Sequence, residues 1–313
     1  MKLEPNLGFD YYWHFTHERQ KAFLNKCVTS KINTSDVVIN KYKFTNTYRC
    51  LDRTSQFLIK NIINHDNQEP NNLFFRIMIF KLFNKVSTWQ LLEKRLGEVN
   101  IEYFSVTSFA EILDQIKEYQ PIYSNAYIVP SGMREYGRER KHENNLLMLK
   151  FMLDNNFQDK IWELKNLKDI YDLFISVPTL GPFLAYQYAI DVAYSEFSEA
   201  KESDFIIAGP GAVRGIQKCF KNISPKQYSS VIFWMYENQS KYLEDFVGLN
   251  NHCLQPIDCQ NIFCEVDKYL RIVLPELTSN RKKIKQVYKA NLDKIEIQTP
   301  RKWNLSKENL FII

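Results

Sequence analysis

Four polar side chains recur at one helical spacing early in the chain: Asn46, Arg49, Arg53 and Gln56. Positions i, i+3, i+7 and i+10 share one face of a helix. Amide and guanidinium groups read base edges and phosphates, whereas a merely solvated stripe favours Glu and Lys. Asp52 stands beside them, able to hold Arg49 or Lys60. A second set repeats the spacing within residues 255–271: Asp258, Asn261, Glu265 and Lys268. Paired carboxylates with an amide suit work at a sugar carbon, where one group stabilises a developing cation while a water completes the displacement. For either stripe, a polar face turned to solvent is the plain alternative.

The elements that must carry these residues follow from apolar spacing. Leu51, Ser55, Leu58, Ile59, Ile62 and Ile63 gather on one face, so a helix is expected after Thr45, whose hydroxyl suits an N-cap. Residues 9–27 read as an aromatic-rich helix and 28–42 as a linker. The polar stretch 62–72, with its proline, reads as a turn. Residues 73–96 form an expected buried helix pair with Trp89 in the core, and 106–119 and 143–155 are further helices. His14, His17 and Glu18 lie close together on the first helix. No second ligand cluster accompanies them, so a packed helix is expected and no metal. Residues 130–141 make a basic, glycine-punctuated loop, readable as a solvated loop or as a DNA-backbone contact.

Composition sets the frame. The chain has 313 residues, 14% aromatic, with 22 Phe, 18 Tyr and only 9 Gly; that balance favours long helices over a turn-rich β architecture. The net charge of +5 permits nucleic acid without requiring it. No opening segment resembles a signal peptide, and no apolar run approaches the roughly 20 residues of a membrane span. A cytoplasmic protein with six reduced cysteines is the expectation. Cys253, Cys259 and Cys264 are three, not the four that hold an iron–sulfur cluster, and no cofactor is expected.

Two glycine-containing turns complete the set. Residues 175–185 run apolar residue, Pro178, Thr179, Gly181 and then a helix. Residues 204–214 place Asp204 before Gly209, Pro210 and Gly211, with Arg214 and Lys218 following. The second turn could form an anion nest, but no Gly-Lys-[Ser/Thr] follows as a P-loop requires, so a kinase half is not expected. Basic residues Arg281, Lys282, Lys283, Lys285, Lys289, Arg301 and Lys302 mark the tail. Such runs touch DNA backbone or are simply solvated.

The run 43–60 resembles the signature of a helical, DNA-glycosylase-like family, the alpha-glutamyl/putrescinyl-thymine pyrophosphorylases. It is also similar to the helical domain attached to hydroxymethyluracil DNA kinases. The resemblance extends to Tyr12-Trp-His-Phe-Thr-His-Glu-Arg19, to residues 74–84 with Trp89, and to 204–216 and 255–271. The turn at 175–185 resembles the hairpin of helix-hairpin-helix DNA glycosylases, whose helix N-terminus faces a phosphate.

What the resemblance implies is a mainly α, glycosylase-like fold with two helical lobes around a cleft. The expected lobes are 1–72 plus 186–313, and 73–185 ending in the hairpin. It implies double-stranded DNA carrying modified bases as partner, with no membrane and no protein partner. The activity most in keeping is excision of a flipped, hypermodified pyrimidine, with glucosylated hydroxymethylcytosine as the target of antiphage relatives. Amine transfer onto a pyrophosphorylated hydroxymethyluracil and non-catalytic recognition are the alternatives. Glycosylases place an aspartate about two dozen residues beyond the hairpin proline, which points to Asp204, although strict alignment puts Gly209 there; Glu265 and Asp258 are the rival carboxylates. Asn46, Arg49, Asp52, Arg53, Gln56 and Asn261 would hold the base or its adduct. Thr179, Gly181, Gly209, Gly211, Arg214 and Lys218 would meet the backbone. Phe183 occupies the place of the lysine in lyase-type relatives, so an abasic product without strand cleavage is expected.

Overall fold

A computed structural model of the chain describes residues 3–66, 69–277, 284–289, 296–306 and 310–311. Among these residues the architecture is helical, and β structure is limited to isolated bridges. Among the described residues no helix is long and apolar enough to cross a membrane. The chain forms two compact units. One comprises residues 1–52, 206–298 and 305–313; the other comprises 53–205 and 299–304.

In the first unit, α1 (Gly8–Thr29) and the short α2 (Val37–Lys41) precede the segment that carries the polar stripe. The second unit holds α3 (Arg53–Leu58), α4 (Pro70–Phe83), α5 (Val86–Leu96), α6 (Val106–Tyr119), α7 (Met133–Tyr136), α8 (Lys141–Asp154), α9 (Phe157–Glu163), α10 (Leu167–Ile175) and α11 (Pro182–Ala193). The first unit resumes with α12 (Pro210–Cys219), α13 (Tyr228–Asn238) and α14 (Pro256–Val273).

Local chemistry sets the helix starts. Proline occupies the first turn of α4, α11, α12 and α14, where its missing N–H is no loss. Gln255 and Asp258 form a reciprocal capping box at the start of α14. Asn166 caps α10 through the Asp169 amide at 3.0 Å. Within the expected buried pair, Phe74, Phe75, Phe80 and Trp89 are buried in the second unit, joined by Phe174; Tyr12, Phe15, Phe263 and Tyr269 are buried in the first. α12 lies unusually close against α14. A Cβ at Gly215 would stand 2.1 Å from the carbonyl oxygen of Phe263, and one at Gly211 2.3 Å from Cys264 Sγ.

The stripe does not form one helix, which corrects the sequence expectation. Residues 43–48 are irregular, Arg49–Leu51 make a single tight turn, and Asp52 is extended at ψ 142° before α3 begins. Asn46 causes the break. Its amide donates to Asp52 Oδ1 at 2.8 Å and its side chain to the Leu51 carbonyl at 2.5 Å. Such local side-chain bonds compete with the helical ladder. α3 then runs into a wide turn at Ile59–Ile63, closed by Asn64 N–H on the Ile59 carbonyl at 2.8 Å. The linker expected at 28–42 contains α2, capped by Asp36.

Candidate functional site: three carboxylates around residues 44–52

Segment 44–52 is held between α1 and α14 by its own polar atoms. Arg19, on α1, donates from Nε to the Thr45 carbonyl at 2.9 Å and from Nη2 to Asn46 Oδ1. Thr47 reaches back to the Thr16 carbonyl at 3.3 Å. On the α14 side, the amide of Thr45 donates to Glu265 Oε2 at 3.2 Å, in place of the N-cap role expected of its hydroxyl. The amide of Arg49 donates to Asp258 Oδ1 at 2.6 Å, while Asp258 Oδ2 accepts the Gln255 amide at 2.9 Å. Asp52, Asp258 and Glu265 are thereby gathered around one short stretch of backbone.

Their protonation is driven apart. Burial pushes Asp258 up to about 7, more than the Arg49 and Gln255 amides and the Arg49 charge pull it down. Burial likewise raises Asp52 to about 6, against the Asn46 amide and the Arg19 charge, with Glu265 adding to the rise. Burial would also raise Glu265, but Lys268 and Lys285 overcome it and hold the carboxyl down at about 2. Lys268 Nζ stands 2.8 Å and Lys285 Nζ 2.6 Å from its oxygens. One carboxyl held far below neutrality beside others raised toward it is the arrangement that supplies both a fixed anion and a group able to exchange a proton. Asp258 and Glu265 are each 4% exposed; Asp52 is half-buried and is the most open of the three.

Sequence spacing did not find two of these groups. Arg19 had no expected role although it ends a quoted motif. Lys285 reaches Glu265 because residues 41–43 pair with 286–288, through Lys43 N–H on the Gln286 carbonyl and Tyr288 N–H on that of Lys41. No local signal marks a contact made across more than 240 positions of sequence.

The remaining expected residues fall elsewhere. Arg49 is 1% exposed and so braces the carboxylates from inside. Arg53 and Gln56 lie on α3 in the second unit, Arg53 exposed and Gln56 half-buried. Asn261 is half-buried on α14. Asp204 is exposed in a turn, accepting the Lys201 amide at 2.9 Å. Gly209, expected in an anion nest, donates its amide to Gln260 Oε1 at 2.9 Å. Gly211 packs on Cys264. Arg214 Nε and Lys218 Nζ both reach the buried Asp267, each at 3.1 Å. Thr179 takes a left-handed φ of 75° in the turn between α10 and α11, and Gly181 is exposed as the N-cap of α11. Phe183 stacks on Tyr127, ring centroids 6.0 Å apart.

In the 130–141 loop, Arg140 pairs with Asp114 and Glu143, and Arg138 with Glu143. Of the tail cations, Arg301 pairs with Asp66 and Lys289 is exposed. Lys302 donates to the carbonyls of Ala193, Ser198 and Ala200. Arg281, Lys282 and Lys283 lie outside the described residues. Glu18 accepts the hydroxyls of Thr34 and Ser35, and His14 pairs with Asp36. Among the described residues no group of three or more His, Cys, Asp or Glu could hold a metal.

A helical chain with three acids gathered around residues 44–52 is thus the class that fold and site define. Residues 7–279 match the family described as 5-hmdU DNA kinase, helical domain, and the chain belongs to that family. It is 22% identical over 338 aligned positions to the 5-hmdU DNA kinase of Bacillus phage SP10, with 98% of this chain and 53% of the relative covered. The chain therefore spans about half the length of that relative. No solved structure matches it.

Proposed function

We propose that this chain acts on DNA carrying a hypermodified pyrimidine, and that it cleaves the N-glycosidic bond of that base. The observation that carries the reading is the gathering of Asp52, Asp258 and Glu265 on the backbone amides of Asn46, Arg49 and Thr45, within the segment on which the family resemblance rests. A base inside a duplex is out of reach, so the nucleotide is first extruded, at a cost of a few kcal/mol. Asp52, the most open acid, gives a proton to the departing base as the bond between C1′ and the ring nitrogen breaks, the electron pair leaving with the base. Fixed negative charge stabilises the oxocarbenium-like sugar, and water adds at C1′ and returns a proton to the carboxylate. Asp258 stands behind Asp52, Glu265 supplies the fixed charge, and Asp204 remains the rival carboxylate. The exposed start of α11, with Thr179 and Gly181, suits a backbone phosphate. Arg53, exposed on α3, suits another.

The name of the phage relative favours a second reading. A kinase acting on 5-hmdU makes an exocyclic phosphate; once that group is extended to a pyrophosphate, a helical partner able to protonate it would let a free amine attack the methylene carbon, the pyrophosphate leaving with the bonding pair and the amine giving up a proton. The two readings share the flipped pose and differ in the bond broken. Mass analysis of DNA after incubation separates them: free base supports excision, aminated base supports substitution, and unchanged DNA with retained binding leaves only recognition. Among excision outcomes, an intact abasic strand is expected. A borohydride-trapped covalent adduct overturns the monofunctional mechanism.

A further inference from the structure

We infer that the phosphate backbone of the DNA lies along a strip of the first unit made by Lys26, Lys41, Lys43 and Lys289, with Tyr42 and Tyr288 among them. This rests on the reading of the chain as one that acts on modified DNA, and it names the surface that holds the backbone.

The strip is built on a short antiparallel pairing. Tyr42 opposes Val287, Lys43 N–H donates to the Gln286 carbonyl at 2.8 Å, and Tyr288 N–H donates to that of Lys41 at 2.9 Å. Lys41 ends α2, whose start is capped by Asp36, so one edge of the pairing is tied to a helix. Tyr42 is extended at ψ 150°. Side chains two apart across extended backbone leave the same face, about 7 Å from each other. Lys41 and Lys43 stand in that relation and are both exposed, an interval that suits successive phosphates of one strand. Lys289 is exposed on the opposing segment.

Rings place two of these cations without neutralising them. Lys41 Nζ stands 5.4 Å from the centre of the Tyr42 ring, and Lys26 Nζ 5.9 Å from that of Tyr288. An ammonium over an aromatic face is steadied by the ring and keeps its whole charge. None of the four ammoniums makes an ion pair or hydrogen bond with another described residue. The carboxylates of the neighbouring elements are engaged elsewhere. Asp36 pairs with His14 and Tyr269, Glu18 with Lys21, Thr34 and Ser35, and Glu265 with Lys268 and Lys285. The strip is therefore uncompensated positive charge. Across the first unit Lys and Arg outnumber Asp and Glu, the reverse of the second unit. Such a surface attracts a polyanion.

Its position favours DNA over an anionic membrane. The segment that supplies one edge also carries Lys285, whose ammonium lies 2.6 Å from Glu265 Oε2. The other edge runs on through Phe44 to Thr45, whose amide donates to the same carboxylate at 3.2 Å. A strand held on the strip thus passes beside the residues proposed to react. The strip's own exposed apolar side chains are Ile284 and Val287, not the Trp, Phe and Leu by which interfacial segments hold a bilayer.

The test uses the full chain, fluorescence anisotropy with a short unmodified duplex, and phosphatidylglycerol vesicles as the rival polyanion. Lys41→Gln/Lys43→Gln should weaken duplex binding by about tenfold or more at low salt. It should also lower the slope of log affinity against log salt by about 1.8, each phosphate contact contributing about 0.9. Lys26→Gln/Lys289→Gln should act in the same direction. Lys94→Gln/Lys226→Gln removes equal charge from exposed positions elsewhere and should leave affinity and slope near wild type, with the thermal melts of all three variants in place. Absence of duplex binding by the wild-type chain overturns the assignment, as do wild-type affinity and slope in both strip variants. An equal loss in the control pair overturns it too, since net charge alone would then be at work. Vesicle binding lost in the strip variants, with duplex binding unchanged, gives the strip to a membrane instead. Turnover of modified DNA with strip-independent affinity removes the strip alone. Strip-dependent duplex binding by a wild-type chain that leaves modified DNA unchanged removes the proposed reaction and keeps the strip.

Discussion

Asp258 joins two roles that a substitution can separate. Its two oxygens accept the amides of Arg49 and Gln255, so it fixes the signature segment to the first turn of α14. An asparagine keeps one acceptor and turns an N–H₂ toward the other amide. Asp258→Asn should therefore cost about 1–3 kcal/mol of stability, measured by urea unfolding at pH 4.5, where the raised acid is still protonated. The titration gives a second readout. A carboxyl raised in the folded state to about 7 contributes stability that is full below its unfolded value near 4 and disappears as pH rises through 7. Wild type should lose more stability than Asp258→Asn between pH 4.5 and 7, and a parallel pair of curves would refute the raised acid. Glu265 has the opposite sign. Held at about 2, it contributes stability above its unfolded value near 4.3, lost as pH falls toward 2. Glu265→Gln should flatten the acid limb below pH 4.

At the scale of elements, the contact between α12 and α14 is the tightest constraint in the first unit. Gly215→Ala would place a methyl against backbone of Phe263, not against a side chain that could turn aside. Overpacking of this kind costs typically about 1–3 kcal/mol, occasionally more. Gly215→Ala should lower the urea midpoint accordingly, and an unchanged midpoint would mean that α12 can slide on α14. The sequence made several regular elements legible: α1, the α4–α5 pair, α6 and α8 lie where apolar spacing put them, because side-chain period and burial act locally, while α11 follows the turn at 175–185 and α14 carries the second polar set. It misread the polar stripe as one helix because Asn46, Asp52 and the Leu51 carbonyl form bonds that no periodicity records. α13 carried no polar pattern to draw attention to it. In the site, Asp258 and Glu265 were visible as spaced acids on one helix. Arg19 and Lys285 were not, since only the fold brings them to residues 44–52.

For the whole molecule the proposed function makes a comparative prediction. A site whose buried polar groups are meant to pair with a substituted base leaves them unpaired on a plain one. Discrimination of about 10⁴-fold is then attainable. Single-turnover rates on glucosylated and on unmodified duplexes of one sequence should differ by that order. Comparable rates on both would refute the proposed substrate class.

The passage of the chain between its units, at 52/53, 205/206, 298/299 and 304/305, bears on the order of events during synthesis. Residues 53–205 emerge as one uninterrupted stretch and contain most of the second unit. The segment bearing Arg49 and Asp52 has left the ribosome before them, yet its anchors at Asp258 and Glu265 follow by about 200 residues. At about 5–20 residues per second, that is a wait on the order of tens of seconds. Through it, the buried Arg49 and the half-buried Asp52 stay in water, and the three acids come together only after residues 53–205 have been made.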